Sequence, residues 1–255
     1  MNTWKMDRMD ISPTSQVEPK PRAYVMGITG SPYLCDKAKE ILKVADIIVG
    51  WQASISIVES LILDKMIFIQ DPTQYREILK TATRYAKLHN QNIVLLVLDD
   101  PLVYSVPVQY FQETFEDFTL DFVPCSSRFQ LAAAAAGVSL ENTLMVVFSP
   151  DKNGGIDLDL LETNRTRMIQ AFNQGSNVII SSDIEQSTED IAEFLLSQKV
   201  DRTTQVLLCE ELATPAEKLS WTTLGASASY NSHWNTIMVI PQKASQNEKV
   251  KSQIR

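Results

Sequence analysis

Residues 92–101 of the chain read Asn-Ile-Val-Leu-Leu-Val-Leu-Asp-Asp-Pro. The apolar run is not interrupted by alternating polar residues, which is typical of a parallel strand covered by helices on both faces. In such sheets the ligand crevice lies outside the carboxyl ends of the strands. We therefore expect Asp100 and Pro101 to lie at a functional edge. A structural alternative is that Asp100 caps the next segment and Pro101 ends the strand.

Strand and helix patterns alternate on both sides of this run, which predicts a first α/β domain. Before the run, strands are predicted over 22–27, 46–50 and 67–70, and helices over 32–44 and 73–89. After it, a helix over 107–118 and a strand over 119–124 complete the domain. A doubly wound sheet is the expected architecture.

The sequence pattern after residue 124 predicts a second α/β domain with a mixed sheet. Helices are predicted over 127–137, 158–174 and 188–198, and strands over 143–148, 177–181 and 204–209. The segments 218–224 and 236–240 suggest strands at hairpin-like edges. The predicted domains are thus 21–124 and 125–242, with flexible tails over 1–20 and 243–255.

Composition excludes several classes of function. The formal net charge is −8, and no basic run is long enough to follow a phosphate backbone. No apolar segment approaches the roughly 20 residues of a membrane-spanning helix, and the first residues lack the apolar centre of a secretory signal. The three widely spaced cysteines form neither a disulfide framework nor a zinc motif. We expect a cytoplasmic protein without a membrane, nucleic-acid or metal partner.

The first turn, Gly27-Ile28-Thr29-Gly30-Ser31-Pro32, follows a predicted strand and opens a helix. Its glycines could let the backbone approach a ligand. A nicotinamide dinucleotide site would require a third glycine and an acidic residue at the end of the second strand. The third glycine is missing and Asp46 begins its strand, so a dehydrogenase is disfavoured. A ligand loop and a tight structural turn both remain open.

Five groups of segments keep the order and spacing of one known family over residues 24–241. They are Gly27-Ile28 with 45–50, Asp100-Pro101-Leu102-Val103-Tyr104, 123–134, Cys209-Glu210-Glu211-Leu212 with Glu217-Lys218, and 234–240. In these segments the chain resembles the tetrapyrrole methylases. The last two groups resemble the branch that methylates ring carbon 5 of a precorrin.

The resemblance implies a homodimeric methyltransferase that uses S-adenosylmethionine and acts on C5 of a precorrin or cobalt-precorrin in cobalamin biosynthesis. The reaction would take place in a cleft between two α/β domains and would depend mainly on positioning. No catalytic side chain and no metal ligand is assigned. By motif match, the cofactor would be bound by Gly27, Asp100, Pro101, Tyr104 and Ser127, and the tetrapyrrole by Gly30, Ser31 and Arg128.

Several positions depart from the family pattern. Asp99, Ser105 and Cys125 stand where the family has glycine, Arg128 replaces a serine, and Ser149-Pro150-Asp151 replaces a His-Gly-Arg motif. A non-glycine residue held at positive φ costs about 1 kcal/mol or more. These changes support a second hypothesis, a catalytically inactive homologue with a binding or regulatory role. A third, methylation of a protein or ribosomal RNA, is disfavoured by the acidic charge and the closing strand.

Arg128 has two alternative predicted roles. A precorrin carries several carboxylates, so an acidic protein needs local cations to bind it. Arg128 either forks onto such a carboxylate or pairs with an acid of the chain, such as Asp99 or Asp100.

Overall fold

A computed structural model describes residues 20–30, 33–103, 108–148, 157–181, 187–229 and 236–242. The predicted tails lie outside the described residues apart from Lys20, and so do Ser31, Tyr104, Ser105 and 149–151. The described chain forms two five-stranded sheets joined by a short connection.

The first sheet is parallel throughout, with strand order β3-β2-β4-β1-β5. Its strands are β1 (Arg22–Ile28), β2 (Ile47–Gly50), β3 (Met66–Ile69), β4 (Ile93–Leu98) and β5 (Thr119–Val123). Its helices are α1 (Asp36–Val44), α2 (Gln52–Val58), α3 (Tyr75–Leu88) and α4 (Val108–Thr114). The apolar run at 93–98 is therefore a central parallel strand, as predicted.

Helices cover both faces of this sheet. Val94 and Leu96 of β4 belong to one apolar cluster with α1 and α2, whereas Ile93 and Leu95 belong to another with α3 and α4. The continuous apolar sequence of β4 follows from this double burial. The doubly wound prediction is confirmed.

Helix α2 was not predicted from the sequence. It is only 7 residues long and starts directly after β2, with Trp51 as its N-cap residue. Ser54, Ile55 and Val58 are its buried residues. A single short turn pattern without a capping side chain gives too little periodicity to identify a helix.

The second sheet has the order β6-β7-β10-β8-β9 and is mixed, as predicted. Its strands are β6 (Thr143–Val147), β7 (Asn177–Ser181), β8 (Gln205–Glu210), β9 (Lys218–Thr223) and β10 (Ile237–Ile240). Its helices are α5 (Arg128–Ala136), α6 (Leu158–Asn173), α7 (Thr188–Ser197) and α8 (Leu224–Ser227). Strands β6 and β7 are parallel, and the other pairs are antiparallel.

Strand β9 is an edge strand in a hairpin with β8, but the edge prediction for 236–240 was wrong. Strand β10 lies between β7 and β8, and all four of its residues are buried. Its uninterrupted Ile-Met-Val-Ile sequence is the pattern of a strand covered on both faces.

The connection between the sheets runs from Val123 to Thr143 and includes α5. Ser127 accepts a hydrogen bond from the Gln130 N–H, and the Gln130 side chain accepts one from the Ser127 N–H, which forms a capping box. Phe129, Ala132 and Ala133 pack on the second sheet. Within the described ranges, no helix is long and apolar enough to cross a bilayer, and the longest, α6, has 16 residues.

Candidate active site

The candidate site lies where β4 and β1 end and the chain crosses toward α5. The Asp99 N–H donates to the Ile28 carbonyl at 2.9 Å, so the two strands stay together through their last residues. Asp99 has φ of +69°, in the left-handed region. This turn directs Asp100 and Pro101 away from the first sheet, toward the connection with the second sheet.

Asp99 forms a buried ion pair with Arg128, the first residue of α5. The Arg128 Nε lies 3.1 Å from Oδ2 of Asp99, and the side chains are 10% and 0% exposed. Oδ1 of Asp99 accepts the Arg128 N–H at 3.0 Å and the Asp100 N–H at 2.8 Å. The alternative in which Arg128 pairs with an acid of the chain is thus the one the structure supports.

Asp100 also holds the loop after β4 in place. Its Oδ1 accepts the Leu102 N–H at 2.8 Å, and its Oδ2 accepts the Cys125 N–H at 3.1 Å. Both carboxylates therefore bind the β4 loop to the connection between the sheets. Asp100 does cap the following segment, and it also joins two distant parts of the chain.

Gly27 is packed tightly by the chain itself. A Cβ at this position would lie 2.7 Å from the Asp99 carbonyl, 2.8 Å from Cδ of Pro101 and 2.9 Å from Sγ of Cys125. Only glycine lets β1 end against this loop and the connection. Close backbone approach, rather than positive φ, explains why glycine is required here.

The Cys125 thiol is a packing group and not a nucleophile. Its Sγ lies 2.9 Å from Oγ1 of Thr29, which donates its own proton to the Ser126 carbonyl at 2.5 Å. Burial, opposed in part by the Thr29 hydrogen bond, raises the pKa of Cys125 to about 11. The thiol is therefore protonated at neutral pH.

A narrow depression separates the β1 loop from this connection. It is lined by Gly27, Ile28, Thr29, Gly30, Tyr33, Leu34, Cys35, Ala38, Pro124 and Cys125. As these described residues build it, it has no interior that could hold a water molecule.

The segment between β8 and β9 of the second sheet meets the β1 loop. A Cβ on Gly30 would collide with the Ala213 carbonyl oxygen. Ala213 has φ of +65°, and its N–H donates to Oε2 of Glu217 at 2.9 Å. Lys218 contacts the buried Glu210 at 3.0 Å. Glu217 thus helps to hold the backbone that closes against Gly30.

A model of the family described as Tetrapyrrole (Corrin/Porphyrin) Methylases matches residues 26–228. The chain belongs to the tetrapyrrole methylases. This is a family of S-adenosylmethionine-dependent methyltransferases. The family predicted from the sequence motifs is confirmed.

Three solved structures illustrate the shared tetrapyrrole methylase fold. Precorrin-6Y methylase (CbiE) from Archaeoglobus fulgidus is 18% identical, with a TM-score of 0.61 over 88% of this chain and 99% of that one. The methyltransferase CobJ is 17% identical, with a TM-score of 0.71 over 88% and 95%. A protein of Entamoeba histolytica provisionally assigned as a diphthine synthase is 14% identical, with a TM-score of 0.64 over 91% and 96%. No curated protein matches the chain in sequence.

Five of the predicted tetrapyrrole methylase site residues lie together where β1 and β4 end against the connection to α5, a junction that we call the crevice: Gly27, Asp100, Pro101, Ser127 and Arg128. Gly30 lies on the adjoining loop, whereas Ser31 and Tyr104 fall outside the described residues. Ser127 is buried as a helix cap. Contacts of any of these residues with a cofactor or substrate stay predictions.

The departures from the family pattern have distinct structural outcomes. Asp99 stands at a glycine position of the family pattern and adopts the left-handed conformation, which glycine tolerates most readily. Cys125 also replaces a glycine, but it is not among the positive-φ residues of the described chain. Its side chain instead fills the space beside Gly27.

Thr29 and Glu217 were not assigned a role from the sequence, although each holds part of the crevice. Thr29 lies inside the quoted glycine turn, and Glu217 lies in the segment that resembles the C5 branch. A hydroxyl between two glycines and an acid at a hairpin are signals that could have identified them. Within the described ranges, no three His, Cys, Asp or Glu side chains could hold a metal ion together.

Proposed function

We propose that the protein transfers a methyl group from S-adenosylmethionine to ring carbon 5 of a precorrin or cobalt-precorrin, as a step of cobalamin biosynthesis. The main observation behind the proposal is the pair of backbone hydrogen bonds that the Asp100 carboxylate accepts. They hold the β4 loop against the connection between the domains. A crevice fixed by the chain's own hydrogen bonds is preorganised for a reaction that depends on alignment. Membership of the family and the C5-branch segments supply the substrate class.

The described residues fit the methyl donor in charge. Arg128 neutralises Asp99, which leaves Asp100 as the negative charge of the loop. Bound S-adenosylmethionine would supply a methyl group on a positively charged sulfur, which a neighbouring carboxylate stabilises electrostatically. We assign Asp100, Pro101 and the backbone after them to the donor.

The chain's residues would act by position rather than by bond formation. The Asp99 and Asp100 carboxylates hold the loop, and Glu217 holds the backbone that closes against Gly30. Together these contacts restrict the crevice from both domains and limit the entry of water. We also propose a homodimer, which requires a particle of twice the chain mass in solution.

The proposal is tested by calorimetry followed by a transfer assay. Wild-type protein should bind S-adenosylmethionine and its demethylated product at micromolar concentration, about −8 kcal/mol. Labelled methyl should then appear on a precorrin and on no carbon other than C5. The Asp100→Asn variant keeps the size of the side chain but presents only one acceptor oxygen, so both affinity and transfer should fall. Binding of the donor without any transfer to a precorrin would refute the C5 assignment.

A second candidate is a catalytically inactive homologue that binds or regulates. It is favoured by Cys125 and the Asp99–Arg128 pair, which place side chains where the family has small residues. Absence of binding at millimolar S-adenosylmethionine would favour this candidate over the enzyme.

A further inference from the structure

Arg128 is held by Asp99, so a substrate that carries carboxylates needs another cation at the carboxyl edge of the first sheet. Arg76, near the start of α3, lies at that edge. Its Nε donates to Oη of Tyr75 at 2.9 Å, and its guanidinium carbon lies 5.5 Å from the centroid of the Tyr75 ring. Arg76 is exposed.

Two further aromatic side chains lie near Tyr75. The Tyr75 and Trp51 rings lie 6.2 Å apart between centroids and are tilted by 36°. Tyr110 of α4 lies close enough to Tyr75 and Arg76 for their charges to influence it, and burial raises the pKa of its hydroxyl. Trp51, Tyr75 and Tyr110 are each only half-buried. We call these three rings and Arg76 the aromatic patch.

The aromatic patch lies beside the candidate active site. Gly50 pairs with Leu96 in the β2–β4 register, so Trp51 leaves the sheet next to the strand that ends in Asp99. Adjacent strands are about 4.8 Å apart, which places the patch and the Asp100 loop along one edge of the sheet. Exposed Ile69 and Leu102 extend the apolar surface at the ends of β3 and β4.

The patch combines partly exposed aromatic rings with an exposed arginine whose guanidinium is held against Tyr75. A rigid ring system with carboxylate arms matches this combination, since rings stack on aromatic faces and arginine forks onto carboxylates.

We propose that the aromatic patch binds the tetrapyrrole acceptor, with the macrocycle against Trp51 and Tyr75 and a rim carboxylate on Arg76. This inference rests on the proposed function, because it gives the substrate of that site its binding surface. It also assigns to Arg76 the role that the sequence suggested for Arg128.

The test is a titration of the full chain with uroporphyrin, a flat tetrapyrrole with carboxylates around its rim. Binding is measured by the change in the Soret absorbance of uroporphyrin. Trp51→Ala and Arg76→Ala should each weaken binding by about tenfold or more, which corresponds to about 1.4 kcal/mol. Arg76→Lys should be intermediate, because an ammonium neither forks nor stacks in the same way. Trp51→Phe should keep most of the affinity.

Matched controls lie elsewhere on the chain. Arg84 is exposed further along the same helix, and Trp221 is exposed on the edge strand β9. Arg84→Ala and Trp221→Ala should change uroporphyrin affinity less than about twofold. All variants should bind S-adenosylmethionine as the wild type does, which shows that the crevice is folded.

The outcomes separate the two proposals. If the patch variants bind uroporphyrin as tightly as wild type, the patch is not the acceptor surface, while the proposed methyltransferase stands. If wild type binds S-adenosylmethionine but not uroporphyrin, the patch assignment is also overturned. If wild type binds neither molecule, both the patch assignment and the proposed function fail.

Discussion

The buried pair between Asp99 and Arg128 predicts a strong, non-additive effect on stability. At 3.1 Å and an effective dielectric constant near 20, the attraction between the two charges is about 5 kcal/mol. Arg128→Ala removes the guanidinium but keeps the backbone N–H that bonds to Asp99. The remaining carboxylate is buried and lacks a counter-charge. Breaking such a pair costs about 3–5 kcal/mol. The backbone N–H groups that still bond to Asp99 reduce this cost, so we expect Arg128→Ala to lower the free energy of unfolding by about 3 kcal/mol.

Replacing both partners should restore part of the stability that either single replacement removes. Asp99→Gly alone relieves a positive-φ strain of about 1 kcal/mol but leaves Arg128 buried without its carboxylate. The double variant Asp99→Gly with Arg128→Ala removes both charges and completes a cycle with the two single variants. We expect it to lie about 1–3 kcal/mol below wild type, because the Arg128 and Asp100 N–H groups lose the Asp99 acceptor although no unpaired charge remains buried.

The assay is urea unfolding, monitored by tryptophan fluorescence and far-UV circular dichroism, on wild type, both single variants and the double variant. The coupling between the two positions should exceed about 2 kcal/mol. Arg22 provides the control, since it makes a similar contact of 3.2 Å with Asp121 in an exposed setting. Arg22→Ala should have no measurable effect. Additive single variants, or an Arg128→Ala variant as stable as wild type, would refute the reasoning.

Three further predictions concern the walls of the crevice. Burial raises the pKa of Cys125 to about 11, so iodoacetamide should modify it at least about tenfold more slowly than the exposed Cys35 at neutral pH. The rate of Cys125 modification should rise as the pH approaches 11, and equal rates for the two cysteines by peptide mass spectrometry would contradict the prediction. Gly30→Ala should lower the free energy of unfolding by about 1–3 kcal/mol, since the added Cβ meets the backbone of Ala213; an unchanged urea midpoint would show that the two loops do not touch. Glu217→Ala should speed hydrogen exchange at the Ala213 amide, whereas Glu217→Gln, which keeps an acceptor oxygen, should restore most of the protection.

Local pattern alone determined much of the architecture. The unbroken apolar run at 93–98 identifies a central parallel strand because both faces of such a strand need apolar cover. The acid and proline that follow it are then placed at the carboxyl edge by the direction of the strand. The motif order was sufficient to recognise the family. Each of these inferences depends on residues that are close together in the sequence.

Only the tertiary structure decided which distant residues meet. Asp99 and Arg128 are 29 residues apart, and the sequence left open whether the arginine faces the substrate or an acid. Strand β10 is central because it pairs with β7 and β8, which no local pattern specifies. The aromatic patch likewise depends on α3 and α4 packing against the same sheet face. Periodicity reports which face of an element is buried, whereas the partner on that face is set by chain topology and packing.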